Sequence, residues 1–107
     1  YQVERTGWIA DYADPNVFLE IFESTNGNND TTWVSPEYDR VFHEAMAAGD
    51  DAKRYEKYQR LDEILVDECP IIPLYYYTRP YLMSPRVKGT WANPLDIHPF
   101  QNIYLEN

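Results

Sequence analysis

Gly7-Trp8-Ile9-Ala10-Asp11-Tyr12-Ala13-Asp14-Pro15 places a bulky apolar pair, an acidic residue and a proline-terminated turn in immediate succession. Tyr1 to Ala10 alternates loosely and turns apolar at Trp8-Ile9-Ala10, the pattern of a strand entering an interior. Asp14-Pro15 then reads as a helix start, with Asp14 as the cap and Pro15 in the first helical position. Asp11 is not needed for that start. An aspartate just past an apolar strand is a candidate for a carboxylate directed into a cleft, because open α/β folds bind ligands at strand ends.

Working outward, Val17, Phe18, Ile21 and Phe22 mark one face of a short helix ending near Ser24, followed by a polar loop over Asn26 to Asp30. That loop holds Asn29-Asp30-Thr31, which matches a glycosylation sequon. Ser35-Pro36-Glu37 opens a second helix with a serine cap, a first-position proline and an acid near the positive end of the dipole. Val41, Phe42, Ala45 and Met46 give it an apolar face, and Gly49 marks its end. Asp50 or Asp51 caps a third helix running to about Asp67, with Tyr55, Tyr58, Leu61, Ile64 and Leu65 three or four apart. So short a connection predicts an antiparallel helical hairpin. Pro70 ends the third helix. Ile71 to Tyr77 reads as a strand in which Tyr75 and Tyr77 share one side and Tyr76 takes the other. Tyr81-Leu82-Met83 and Val87 suggest two shorter extended pieces. From Thr90 to Asn107 there is no clear period.

The chain has 107 residues, 44% hydrophobic, 25% charged and 16% aromatic, with a net charge of −9. This is the composition of a globular chain. The acidity excludes nucleic acid as a partner on electrostatic grounds. The single cysteine, Cys69, permits no internal disulfide and reads as a small buried apolar residue. His43 and His98 have no partners at zinc-ligand spacing, and the Asn26–Asp30 loop lacks the terminal Glu of a calcium loop. No phosphate loop, nucleophile elbow or nucleophile–base constellation occurs. Asp11 and Asp14 do not make a catalytic carboxylate pair, since Asp14 is occupied as a cap. These features give a non-enzyme with no cofactor and no metal. The opening residue, Tyr1 rather than Met, suggests a piece of a longer protein.

Seven pieces in order carry a resemblance: Gly7-Trp8-Ile9-Ala10-Asp11-Tyr12 with Asp14-Pro15, Phe18-Leu19, Asn28-Asn29, Ser35-Pro36-Glu37-Tyr38-Asp39, Arg54-Tyr55-Glu56-Lys57-Tyr58, Pro70-Ile71-Ile72-Pro73-Leu74-Tyr75-Tyr76-Tyr77 and Val87-Lys88-Gly89. Over nearly its whole length the chain resembles the C-terminal part of the oligopeptide- and dipeptide-binding proteins of ABC importers. The resemblance implies an α/β chain, part of a type II periplasmic-binding-protein fold, with short strands and a helical hairpin. Residues 1–78 would belong to the C-terminal ligand-binding lobe, and residues 79–107 would cross back to the N-terminal lobe. It also implies a periplasmic or cell-surface lipoprotein that passes peptides to a membrane permease. In that family the acid of the Trp-x-Ala-Asp-Tyr run pairs with the ligand's α-amino group, which is the place of Asp11. Trp8 and the backbone of Ile9 would lie along the peptide, and Tyr77 would face it. The groups meeting the ligand's carboxylate are expected upstream of Tyr1. Relatives in the superfamily bind cello-oligosaccharides or nickel complexes. The alternative from another class is a free-standing acidic α+β interaction module. Unpaired apolar strands would also make the isolated chain self-associate.

Overall fold

The computed structural model describes residues 2–93 and 95–107. Tyr1, where the first predicted strand begins, lies outside the described residues, as does Pro94 within the C-terminal segment. The elements in order are α1 (Asn16–Leu19), a 3-10 turn (Glu20–Phe22), α2 (Pro36–Met46), α3 (Asp51–Glu68), β1 (Val87–Lys88), a second 3-10 turn (Phe100–Asn102) and β2 (Tyr104–Leu105).

Local chemistry explains the hairpin. The Ser35 hydroxyl accepts from the Tyr38 amide with Pro36 at the first position, and the Asp50 carboxylate accepts from the Lys53 amide. Each satisfies a backbone donor that the helix itself leaves unpaired. The Glu68 carboxylate, at the other end of α3, accepts from Trp33 Nε1 at 2.9 Å and from Ser35 Oγ at 3.1 Å. It therefore ties the entry of α2 to the exit of α3.

The core lies between α2 and α3 and reaches back to α1. Tyr38, Val41, Phe42 and Ala45 from α2 meet Tyr58, Leu61, Ile64 and Leu65 from α3, with Leu19 and Phe22 completing the cluster. Tyr38 is fully buried; its hydroxyl donates to the Leu19 carbonyl at 2.8 Å, and Trp33 meets its ring edge-on at 5.1 Å. Burial holds this hydroxyl well above the ordinary tyrosine range, with Asp62 and Asp39 adding to the effect. Lys57–Glu44 and Arg60–Glu37, both at 2.7 Å, link the two helices on the outside. Pairs this exposed add little beyond fixing register.

Three expectations need correction. First, neither Tyr1–Ala10 nor Ile71–Tyr77 is a strand: these residues have no regular secondary structure among those described. A strand exists only with a hydrogen-bonded neighbour, and the described residues from 2 to 11 and from 70 to 83 make no backbone–backbone bond of that kind. The mixed α/β class stands, its one sheet being β1 against β2, antiparallel, with Val87 opposite Leu105 and Lys88 opposite Tyr104. Second, the first helix buries Val17, Leu19 and Phe22 and leaves Phe18 45% exposed. Val17, Phe22 and the partly buried Ile21 stand as expected; only Phe18 changes place with Leu19, where after four α-helical residues the chain tightens to three per turn. Third, Cys69 is exposed. It is the C-cap of α3, in the left-handed region at φ 51°, where the chain leaves the core.

Gly89, at φ +83°, follows β1, and a Cβ there would stand 1.9 Å from the Asn102 carbonyl oxygen. The ribbon closes only because that atom is missing.

The core makes a specific forecast for thermal and urea unfolding. Leu61→Ala should cost about 2–5 kcal/mol, as large-to-small changes at fully buried leucines do. Tyr38→Phe should cost about 1–3 kcal/mol, because the buried Leu19 carbonyl loses its donor. A Tyr38→Phe change without effect would remove that hydrogen bond from the account.

Candidate functional site

The two aromatic segments singled out in the sequence lie side by side. Gly7 sits against Tyr77: an added Cβ would stand 3.0 Å from Tyr77 Cε2. The glycine is therefore what lets the tyrosine ring rest on the backbone. Tyr75 and Tyr77 do share one side, with ring centroids 5.2 Å apart, while Tyr76 is 96% exposed.

Arg5, which the sequence reading passed over, joins the segments. Its Nη2 donates to Tyr75 Oη at 2.6 Å and to Tyr77 Oη at 2.8 Å. The Tyr77 hydroxyl and then the Arg5 guanidinium hold the Tyr75 hydroxyl below the ordinary tyrosine range, because both stabilise the phenolate. The same bonds raise the pKa of Arg5, so the guanidinium stays charged. Its place two residues before Gly7 was the only signal in the sequence, and that signal is weak without knowledge of the fold.

The other end of the run is fixed to α3. The Asp14 carboxylate accepts from the Asn16 amide at 2.9 Å and from the Tyr58 hydroxyl at 3.3 Å, and pairs with Arg54 Nη1 at 3.0 Å. The N-cap of the first helix is Pro15 rather than the expected Asp14, whose carboxylate stands one residue earlier and, within the helix, accepts only from the amide of its first residue. Burial and then the Asp14 carboxylate push the Tyr58 hydroxyl up to about 12. Tyr12 belongs to the same turn: its carbonyl accepts from the Asp14 amide at 3.0 Å and its hydroxyl from Asn16 Nδ2 at 2.8 Å.

Between these two moorings lie Trp8, Ile9, Ala10 and Asp11. Ile9 is 53% exposed and Asp11 is exposed; unlike Asp14, the Asp11 carboxylate has no hydrogen-bonding partner among the described residues. Trp8 is half-buried, and its Nε1 is buried without a hydrogen-bond partner. The arrangement thus offers a free carboxylate at one end, a guanidinium about two phenols at the other, and an apolar stretch between them. Such a surface can hold an elongated zwitterion.

Two other features are accounted for locally. A surface groove of about 460 Å³ is lined by Arg79, Tyr81, Met83, Asp96 and His98 among others, but it does not include the run. Its charges are spent internally, Asp96 meeting Arg79 and His98 at 2.8 Å each. Asn29, the sequon residue, donates from Nδ2 to the Trp33 carbonyl at 3.0 Å and so serves the loop. No cluster of three or more metal-ligating side chains occurs among the described residues.

No family model matches the chain. Individual relatives do. The oligopeptide-binding protein OppA of Bacillus subtilis (strain 168) is 36% identical over 107 residues, 99% of this chain and 20% of that protein. The dipeptide-binding protein DppE of the same organism is 36% identical over 95 residues, 89% of this chain and 18% of that one. A crystal structure of Haemophilus influenzae OppA in complex with the peptide RPPGFSPFR superposes with a TM-score of 0.85 at 36% identity, over 94% of this chain and 20% of that one. The chain is similar to one segment of the oligopeptide- and dipeptide-binding proteins. It spans about a fifth of the length of the relatives it matches. The superposition covers 94% of this chain, so that solved structure shares the scaffold described here.

The tyrosine pair gives a titration test. Arg5→Gln and Tyr77→Phe should each move the Tyr75 titration upward, toward the ordinary value of about 10, since each removes a group that favours the phenolate. Ring-carbon chemical shifts followed against pH report this directly; an unmoved Tyr75 in both variants would refute the cluster.

Proposed function

We propose that this chain forms part of the peptide cleft of a longer, two-lobed, extracytoplasmic receptor that delivers oligopeptides to the permease of an ABC importer. The observation that carries the reading is the superposition, at a TM-score of 0.85, on an oligopeptide-binding protein solved with a peptide. The run held against Tyr77 supplies the local geometry. In this reading residues 1–78 belong to one lobe and residues 79–107 cross to the other, and the protein is periplasmic or a surface lipoprotein. It binds without catalysis, in keeping with relatives named as binding proteins.

Asp11 receives the α-ammonium group of the peptide, Trp8 and Ile9 flank its backbone, and Tyr77 faces it. Arg5 adds a positive contact for a carboxylate or carbonyl, a role favoured by a charge whose described partners are neutral hydroxyls. A peptide is preferred to a cello-oligosaccharide or a nickel complex because the run combines a free carboxylate with apolar neighbours. An ammonium sets its full positive charge against that carboxylate, whereas a sugar hydroxyl brings none.

Asp11→Ala in the longer protein tests this. Losing one partner of a desolvated charge pair costs about 2–5 kcal/mol, so affinity for free-amine peptides should fall by roughly thirtyfold or more. N-acetylated peptides, already poor ligands, should lose little. Parallel losses for both, measured by calorimetry, would remove Asp11 from the site.

The isolated chain is also proposed to self-associate. Ile72, Leu74, Tyr76 and Leu82 are 76%, 71%, 96% and 105% exposed, and backbone without a partner beside apolar side chains invites pairing with another copy. Sedimentation should show mass rising with concentration; a monomer at high micromolar concentration would contradict it.

A further inference from the structure

Trp8 to Asp11 has no regular hydrogen-bonded structure of its own. Its position is therefore set by what holds its ends. On the near side that is the contact of Gly7 with Tyr77. On the far side it is a turn hydrogen-bonded through Tyr12, Asp14, Asn16 and Val17; the short helix it opens packs on α3, and the turn's own polar link to the hairpin runs through one carboxylate. Asp14 meets Arg54 at 3.0 Å and Tyr58 at 3.3 Å, side chains of α3 forty and forty-four residues away in sequence.

We propose that Arg54 and Tyr58 are positioning residues for recognition of the peptide amino terminus, acting through Asp14 on Asp11. The inference rests on the reading of Asp11 given above. Arg54 is built for the task, because its own freedom is removed from several sides. Its second terminal nitrogen meets Asp51 at 3.1 Å, and its guanidinium lies 5.7 Å from the Tyr55 ring centre and 5.8 Å from that of Tyr58. Only 28% of the Arg54 side chain and 23% of that of Asp14 remain exposed, so water does not readily replace either partner. Tyr58 is a core residue, 4% exposed, so its hydroxyl has a fixed origin. A carboxylate gripped by two groups that cannot move fixes the turn, and with it the residue three positions earlier. An ammonium site needs that control: a charge-assisted hydrogen bond has a narrow range of useful distances.

The test uses the longer protein, with trialanine and N-acetyl-trialanine as probes in calorimetry and melting temperature recorded for every variant. Arg54→Met should weaken trialanine by about five- to tenfold, within the range of couplings between contacting groups, and leave N-acetyl-trialanine nearly unchanged. Arg54→Lys should recover part of the loss, since it restores the charge but not the planar fork. Tyr58→Phe keeps the ring in the core, so it carries the same comparison even if Arg54→Met unfolds the protein; about a twofold loss confined to trialanine is expected. In an Asp11→Asn background, neither change should weaken trialanine further. Equal losses for both probes, or losses that add to that of Asp11→Asn, would overturn the proposal and leave Arg54 and Tyr58 as stability residues. Should Asp11→Asn itself leave the preference for the free amine intact, the reading of Asp11 falls, and the positioning role falls with it. Loss of the preference in Asp11→Asn but not in Arg54→Met or Tyr58→Phe would sink the positioning role alone.

Discussion

The packing of α2 on α3 around Tyr38 is the constraint from which the rest of this structure follows. A fully buried tyrosine requires both an apolar surround and an acceptor for its hydroxyl, and the Leu19 carbonyl supplies the acceptor. One side chain therefore seals the hairpin and draws α1 onto it. α2 has only 11 residues, a length at which an isolated helix is marginal, and α3 mixes tyrosine, leucine and isoleucine with charged residues at every turn. Helices of this kind are held by tertiary contact more than by propensity. The hairpin is thus the fixed body to which the less regular segments are attached.

What is attached to it is unusually open. The radius of gyration is 18.2 Å, against about 13 Å for a compact domain of 100 residues. Residues 72–86 are all exposed, including several that an ordinary core would cover. The two aromatic segments still find each other, because Arg5 is held by two tyrosine hydroxyls and Gly7 lets a ring approach the backbone. Polar bonds at the edge and missing bulk in the middle do together what a β-ladder does elsewhere.

Much of this was legible because much of it is local. Ser35-Pro36 and Asp50 announce helix starts by chemistry confined to three or four residues, and the structure places both caps where the sequence does. The spacing of Val41, Phe42 and Ala45 and of Tyr58, Leu61, Ile64 and Leu65 likewise gives most of the buried faces, while Met46 and Tyr55, read onto the same faces, are 44% and 49% exposed. Strands at 1–10 and 71–77 were a different matter, since an apolar run states only a capacity to pair and says nothing of whether a neighbour is present. In the first helix only Phe18 departs from its expected face, Leu19 being buried instead beside the switch to a 3-10 turn at Glu20. Arg5 was invisible because its meaning lies in residues 70 and 72 positions away. Asp14 is engaged and Asp11 has no hydrogen-bonding partner among the described residues, but the engagement of Asp14 with Arg54 depends on how α3 lies against the turn, which no spacing encodes.

The ribbon of β1 and β2 has a genetic consequence that its small size conceals. Gly89 lies in the left-handed region, and the Asn102 carbonyl fills the space a Cβ would take. Any missense change at that codon other than to proline adds a Cβ to a backbone that L-residues seldom adopt, and proline cannot reach a positive φ at all. The position is therefore closed to drift by single steps. Variation there needs both a shift of the turn at Phe100–Asn102 and a new backbone conformation at residue 89, so the two sites are bound to change together.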